Sequence, residues 1–145
     1  MKCIYLIGSL RNRSIMPLAQ RLRKKLGIEI FDNWIAPGPR ADDFWRDYSK
    51  IKGLTYKQAL ASWEAKHIFE FDKFHIDRAD AGLVVMPVGK SGHLEAGYMR
   101  GQGKPVWALF DSEPKRYDVM AQFFTEIFFK ETELYDTLRK HTQKT

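Results

Sequence analysis

Residues 81–98 read Ala81-Gly82-Leu83-Val84-Val85-Met86-Pro87-Val88-Gly89-Lys90-Ser91-Gly92-His93-Leu94-Glu95-Ala96-Gly97-Tyr98. The first seven are apolar or small throughout, with no alternation. A run of that kind fits a strand covered on both faces, the pattern of a central parallel strand. A glycine-containing loop follows, and a helix is expected from about His93 to Gln102. A buried strand that passes through a glycine loop into a helix is part of a βαβ unit, because parallel strands need a crossover connection.

The same pattern extends outward on both sides. Cys3 to Ile7 is a short apolar run that stops at Gly8. Residues 13–26 then place Ile15, Leu18, Ala19, Leu22 and Leu26 on one helical stripe, with Gly27 at its end. Ile28 to Phe31 is a second short strand, and a helix is expected from about Tyr56 to Arg78. Downstream, Pro105 to Phe110 is a fourth strand and residues 114–125 read as helical. Ile127 to Lys130 is an edge strand, and Thr132 is placed to cap a last helix through about Lys140. Residues 33–56 hold Pro37, Gly38, Pro39 and Gly53 and are expected to be irregular. They also carry Trp34, Phe44, Trp45 and Tyr48, and long connections of this kind are often functional. The alternation implies an α/β sandwich with a mainly parallel sheet, and the 145 residues read as a single domain.

Composition excludes several classes. Apolar residues are 44% and aromatics 14%, enough for a packed core rather than a disordered chain. The lone cysteine, Cys3, supports neither a disulfide framework nor a cysteine zinc site. His67, His75, His93 and His141 fit no metal-ligand spacing, so no metal or cofactor is expected. No 18-residue apolar run exists, and the apolar part of the N-terminus is too short for a signal peptide, so a cytoplasmic protein is expected. The formal charge is +6. Part of the excess is local, because Arg11, Arg13, Arg21, Arg23, Lys24 and Lys25 occur without an intervening acid. That suits a phosphate ligand or a solvated helix face, and nothing resembles a motif for polymeric nucleic acid.

In open parallel sheets ligands bind beyond the carboxyl ends of the strands, where the strand order switches. Two loops qualify. In the first, Gly8 allows a close turn, Ser9 and Asn12 offer polar side chains and Arg11 a fixed cation, just ahead of a helix N-terminus. An ordinary strand-to-helix turn would look the same. In the second, Gly89 and Gly92 permit close backbone approach, and Ser91 is placed to cap the helix or to meet a hydroxyl or phosphate. His93 is within reach of a ligand there. Glu95 is expected in the first turn of the helix, either as a favourable charge at its N-terminus or as a nucleophile. A second group of acids, Glu70, Asp72, Asp77 and Asp80, precedes the third strand. Asp72 and Asp77 are five residues apart, a rotation of about 140°, so they cannot share a helix face. Asp80 has the position of a turn or cap residue. Glu95 with one acid of the preceding helix makes a carboxylate pair suited to chemistry at an anomeric carbon.

The runs Ile4-Tyr5-Leu6-Ile7-Gly8-Ser9-Leu10-Arg11, Asp80-Ala81-Gly82-Leu83-Val84-Val85, Ser91-Gly92-His93-Leu94-Glu95-Ala96-Gly97 and Gly103-Lys104-Pro105-Val106 resemble the nucleoside 2-deoxyribosyltransferase superfamily over roughly residues 3–110. The resemblance implies a three-layer, flavodoxin-like fold with five strands in the order 2-1-3-4-5. It implies that Glu95 attacks C1′ of the sugar, that Asp72 positions or protonates the leaving base and that Tyr5 orients the nucleophile. The Gly8-Ser9-Leu10-Arg11 loop resembles that of the nucleotide N-hydrolase branch, which includes the 2′-deoxynucleoside 5′-phosphate N-hydrolases. There the loop holds a 5′-phosphate, which assigns that role to Ser9, Arg11 and Asn12, with Gly89 and Ser91 closing around the sugar phosphate. Uncharacterised bacterial and phage proteins carry a very similar Gly-x-Ser-x-His-Leu-Glu-Ala-Gly run.

The expected activity is therefore cleavage of the N-glycosidic bond of a nucleoside 5′-monophosphate. The alternatives are deoxyribosyl transfer between unphosphorylated nucleosides and a non-catalytic nucleotide-sensing module. Hydrolysis of nicotinamide dinucleotides, as in the TIR-like relatives, fits the first loop less well. Expected partners are a small nucleotide or nucleoside and further copies of the chain, as a homodimer or larger ring.

Overall fold

The computed structural model describes residues 1–143. One five-stranded sheet runs in the order β2-β1-β3-β4-β5, and every neighbouring pair is parallel. Its strands are β1 (Cys3–Ile7), β2 (Glu29–Phe31), β3 (Ala81–Val85), β4 (Val106–Leu109) and β5 (Glu126–Phe128). β1 and β3 are buried at every position, as their unbroken apolar sequences require. This is the expected flavodoxin-like arrangement, and it places the switch in strand order at the carboxyl ends of β1 and β3.

The helices are α1 (Ile15–Leu26), α2 (Ala41–Ile51), α3 (Tyr56–Leu60), α4 (Trp63–Arg78), α5 (Lys90–Gly101) and α6 (Glu131–Gln143). The core divides between the two faces of the sheet. One half joins Ile4, Leu6 and Leu83 to α1 and α6 through Leu18, Leu22, Leu134 and Leu138. The other joins Tyr5, Ile7 and Val84 to α4 and α5 through Ile76, Ala96 and Met99. Gly27 closes α1 in the left-handed region at φ 65°, with its N–H donating to the Arg23 carbonyl.

Four expectations about elements need correction. Residues 33–56 are not irregular: a turn of 3-10 helix (Asn33–Ile35) leads into α2. The helix expected over 56–78 is two, broken where Ala61 ends α3 and the Ser62 hydroxyl accepts from Ala65 N–H to start α4. Thr55 caps α3 and forms a reciprocal capping box with Gln58. Residues 114–125 hold only a 3-10 turn at Val119–Phe123. The last helix begins at Glu131, so Thr132 lies inside its first turn instead of capping it. No helix among the described residues is long and apolar enough to cross a membrane.

Candidate active site

The first loop is built by close packing and by its own hydrogen bonds. A side chain at Gly8 would run into Ile15, and the Trp34 ring lies 3.5 Å from the same point. Ser9 Oγ accepts from Arg11 N–H at 3.2 Å, and Asn12 Oδ1 accepts from the Ser14 N–H and hydroxyl at 3.0 and 2.7 Å. Arg11 projects from the loop but pairs with Asp43 of α2 at 3.0 Å. The four candidate residues thus share one turn, and Ser9 Oγ, Asn12 Oδ1 and the Arg11 guanidinium each have a partner within the protein.

Part of the basic run has partners of its own. Arg21 makes a two-pronged bond with Glu131, Arg23 pairs with Asp32 at 2.6 Å, and Lys25 sits over the Tyr135 ring. These three side chains lie on the helix face with local partners and are not gathered at the first loop.

In the second loop α5 starts at Lys90, three residues earlier than expected, with Gly89 at its N-cap. Ser91 therefore lies in the first turn and does not cap the helix. Gly92 is needed for contact: a Cβ there would lie 2.7 Å from Val88 Cβ and 3.2 Å from Ile7 Cγ2. The glycine lets α5 close onto the end of β1. Glu95 falls in the second turn, and no acid occupies the first. A favourable charge at the helix N-terminus does not explain it.

α4 brings Asp72 to the same place. The register of α4 is fixed at its far end, where Asp77 accepts from Lys73 at 2.7 Å, from the Tyr98 hydroxyl at 2.7 Å and from Gln102 at 2.9 Å. Lys104 adds bonds to the carbonyls of Ile76 and Asp77. These contacts tie α4 to α5. The five-residue offset then turns Asp72 toward Glu95 while Asp77 faces the helix pair's outer side. Asp80 accepts from the N–H groups of Lys2 and Cys3 and is a structural turn residue.

Tyr5 lies beneath the two carboxylates and is buried. Its ring stacks on Phe31 at 5.4 Å, and Phe31 stacks in turn on His75 of α4 at 4.0 Å. Burial, then the charges of Glu95 and Asp72, push the phenol above its ordinary range. Neither Glu95 nor Asp72 has a hydrogen-bond partner among the described residues, and both are part-buried. Burial pushes Glu95 up to about 7, with the Asp72 charge adding to it. Asp72 is pushed up to about 6, first by burial and then by Asp42 of α2. Two part-buried carboxylates titrating near neutrality above a buried tyrosine form an acid–base pair of the kind glycosyl chemistry uses.

Asp42 was not among the sequence candidates. It lies in the stretch expected to be a loop, and the fold brings it near enough for its charge to act on Asp72. His93, by contrast, does not join the pair. It is two residues from Glu95, about 200° around the helix, and its Nδ1 lies 2.8 Å from the Gly89 carbonyl. It borders a groove of about 1120 Å³ on the other flank of α5, walled by Phe110, Tyr117, Phe123 and Phe129. A smaller groove of about 340 Å³ runs past Asn12, Ser14 and Pro87 at the carboxyl edge of the sheet. Among the described residues no cluster of His, Cys, Asp or Glu is arranged to hold a metal ion.

Among solved structures, a 2-deoxyribosyltransferase from Bacillus psychrosaccharolyticus superposes with a TM-score of 0.59 at 17% identity, over 94% of this chain and 90% of that one. The fold is that of a 2-deoxyribosyltransferase. No family model matches the sequence, and no curated protein matches it. The likeness to the deoxyribosyltransferase spans nearly the whole chain.

Proposed function

We propose that this chain cleaves the N-glycosidic bond of a nucleoside 5′-monophosphate through a covalent glycosyl-enzyme on Glu95. The observation that carries the reading is the Glu95–Asp72 pair over Tyr5, held by the α4–α5 clamp and raised toward neutrality by burial. The Glu95 carboxylate attacks C1′, the electron pair of the C1′–N bond passes to the base, and Asp72 delivers the proton that the base takes up. Water then attacks C1′, Glu95 departs as the carboxylate, and the proton from water returns to Asp72. Tyr5 is a positioning residue below the pair. Arg11, Ser9 and Asn12, with Gly89 and Ser91, face the 5′-phosphate in this reading, and Arg11 exchanges Asp43 for it.

Deoxyribosyl transfer between unphosphorylated nucleosides is the second reading. Two observations favour it. The structural neighbour is described as a biocatalyst for the synthesis of nucleosides, and Ser9 Oγ, Asn12 Oδ1 and the Arg11 guanidinium each already have a partner within the protein. A base-release assay separates the two. Nucleosides and nucleoside 5′-monophosphates, ribo and deoxy, are incubated with and without a second free base. The first reading expects release from the monophosphates alone, with a rise in KM of at least about tenfold for Arg11→Gln. Turnover of unphosphorylated nucleosides only when an acceptor base is present selects the second.

We further propose that a second copy of the chain packs on the outer face of α2 to α5. Phe44, Ile51, Trp63, Phe69, Phe74 and Leu94 are all more than half exposed there, more apolar surface than a monomer ordinarily leaves in water.

A further inference from the structure

α4 and α5 flank β3 in the chain, one leading into it and the other leaving it. Because every strand is parallel, both helices run from the carboxyl edge of the sheet to its amino edge. Positions equally far along the two helices therefore stay level. Asp77 is five residues past Asp72, about 7.5 Å along α4. Tyr98 and Gln102 are three and seven residues past Glu95, about 4.5 and 10.5 Å along α5. Their midpoint is again five residues on. The bonds of Tyr98 and Gln102 to Asp77 are thus in step with a Glu95 level with Asp72.

The two helices are not held equally. Gly92, Ala96 and Met99 of α5 are buried against the sheet, so Glu95 stands on a fixed base. In α4 only Ile76 is buried. Toward β2, His75 stacks on Phe31 and Arg78 pairs with Glu29. Toward α5, Asp77 Oδ1 accepts from the Tyr98 hydroxyl at 2.7 Å and from Gln102 at 2.9 Å. Lys73 bonds the other Asp77 oxygen from one turn back in α4 and lies over the Tyr98 ring. A turn of α4 about its own axis by about 10–20° carries a side-chain end roughly 5–6 Å from the axis through about 1–2 Å. A reacting group misplaced by about 1 Å can lose roughly 100-fold in rate. Asp72 is therefore the member of the pair whose place depends on the contact between the helices.

We propose that Asp77 and Tyr98 are positioning residues for proton delivery: their hydrogen bond, with that of Gln102, fixes the rotation of α4 and so sets Asp72 where it protonates the leaving base. The inference rests on the glycosyl-cleavage reading of the Glu95–Asp72 pair. It divides the labour within that pair. The attack of Glu95 on C1′ depends on α5 alone, whereas the proton passed from Asp72 to the base depends on the α4–α5 contact. Loosening the contact slows departure of a base that needs a proton. It spares a leaving group that departs without one, and it leaves substrate binding unchanged.

The test measures the single-turnover rate of leaving-group release and the half-saturating substrate concentration. The substrates are the preferred member of the nucleoside and nucleotide panel and two probes carrying the same sugar, a 4-nitrophenyl glycoside and an N-pyridinium nucleoside, whose leaving groups depart without a proton. Asp72→Asn sets the pattern of lost proton delivery. Asp77→Ala is expected to follow that pattern, with base release slowed about 10- to 100-fold, half-saturation within about twofold and probe release within about twofold of wild type. Tyr98→Phe, which keeps the ring and removes the hydroxyl, is expected to lose less in the same direction. Asp77→Asn keeps an oxygen that accepts from Tyr98 and Gln102 and loses only the Lys73 ion pair, so it is expected to release base at close to the wild-type rate. Arg21→Gln breaks the two-pronged α1–α6 bridge on the opposite face of the sheet and is expected to leave every rate unchanged.

Equal losses of Asp77→Ala on the base and on the probes overturn the proposal, because the contact would then support the whole site. So does an Asp77→Asn rate as low as that of Asp77→Ala, which would assign the effect to charge, and so does an Asp77→Ala rate equal to wild type. Where Asp77→Ala does not fold, Tyr98→Phe decides by the same comparison. Where the wild type refuses both probes, the contrast between Asp77→Ala and Asp77→Asn on base release decides. In each case wild-type turnover leaves the glycosyl reading standing. A wild type that releases no base from any panel member overturns both.

Discussion

Glu95 and Asp72 have raised pKa values because the fold removes water from both and gives neither a hydrogen-bond donor. The direction of the linkage follows. A buried acid with a folded pKa above its unfolded value binds more protons in the folded state, so stability falls as pH rises from the unfolded toward the folded value. For Glu95 that window runs from the ordinary carboxyl value of 4.5 to about 7. Glu95→Gln removes the penalty. Thermal melts across pH should show the variant more stable than wild type above pH 7, by about 1–3 kcal/mol, and the gap should close toward pH 4.5. Turnover moves the other way: Glu95→Gln should lose about 10³-fold or more in kcat with binding retained. Activity needs Glu95 ionised and Asp72 protonated, the less populated arrangement when their values are about 7 and about 6. The pair titrates as a unit, so kcat/KM against pH should be a narrow bell with its maximum between those values. A rate flat from pH 5 to 9 would contradict this assignment.

Gly8 and Gly92 show how the elements are brought to the site, and they differ in what a methyl group would meet. At Gly8 it strikes the far end of the Ile15 side chain, which can move. At Gly92 it strikes Val88 Cβ, attached directly to the backbone. Gly92→Ala should therefore destabilise by about 1–2 kcal/mol despite the better helix propensity of alanine, and Gly8→Ala by less. Denaturant melts of the two variants make the comparison. Both glycines stand out in sequence as loop markers, and β1, β3 and β4 were legible because short apolar runs without alternation, bounded by Gly or Pro, fit strands covered on two faces. α2 was not. Pro37, Gly38, Pro39 and Gly53 bracket it and read as loop, and its apolar residues Phe44, Tyr48 and Ile51 face solvent, so core-facing periodicity gave no guide. With α2 hidden, Asp42 was hidden too. Glu95 and Asp72 were legible as a pair, but the start of α5 was placed three residues late. That put Glu95 in the first turn and His93 beside it, whereas the observed register sends His93 to the opposite flank. Nothing in the sequence showed that Asp43 would hold Arg11.

Across the whole molecule, one sheet separates two unlike faces. α1 and α6 cover one with aliphatic side chains. On the other, α4 and α5 carry the carboxylate pair, and α2 to α5 leave large apolar side chains in water. A second copy seated there would bury them beside the site. Light scattering at micromolar concentration should give at least twice the monomer mass, and Phe74→Glu with Trp63→Glu should reduce it to one chain. A monomeric wild type at all concentrations would remove that part of the account. The central claim, that Glu95 becomes covalently bonded to the sugar, is tested most directly by rapid quench during turnover of the nucleoside or nucleotide that releases base, followed by peptide mass mapping. The peptide containing Glu95 should gain the mass of the sugar, with its phosphate where the substrate carries one, and the gain should vanish in Glu95→Gln together with base release. Base release that persists in Glu95→Gln, with no adduct on the wild-type peptide, would contradict it.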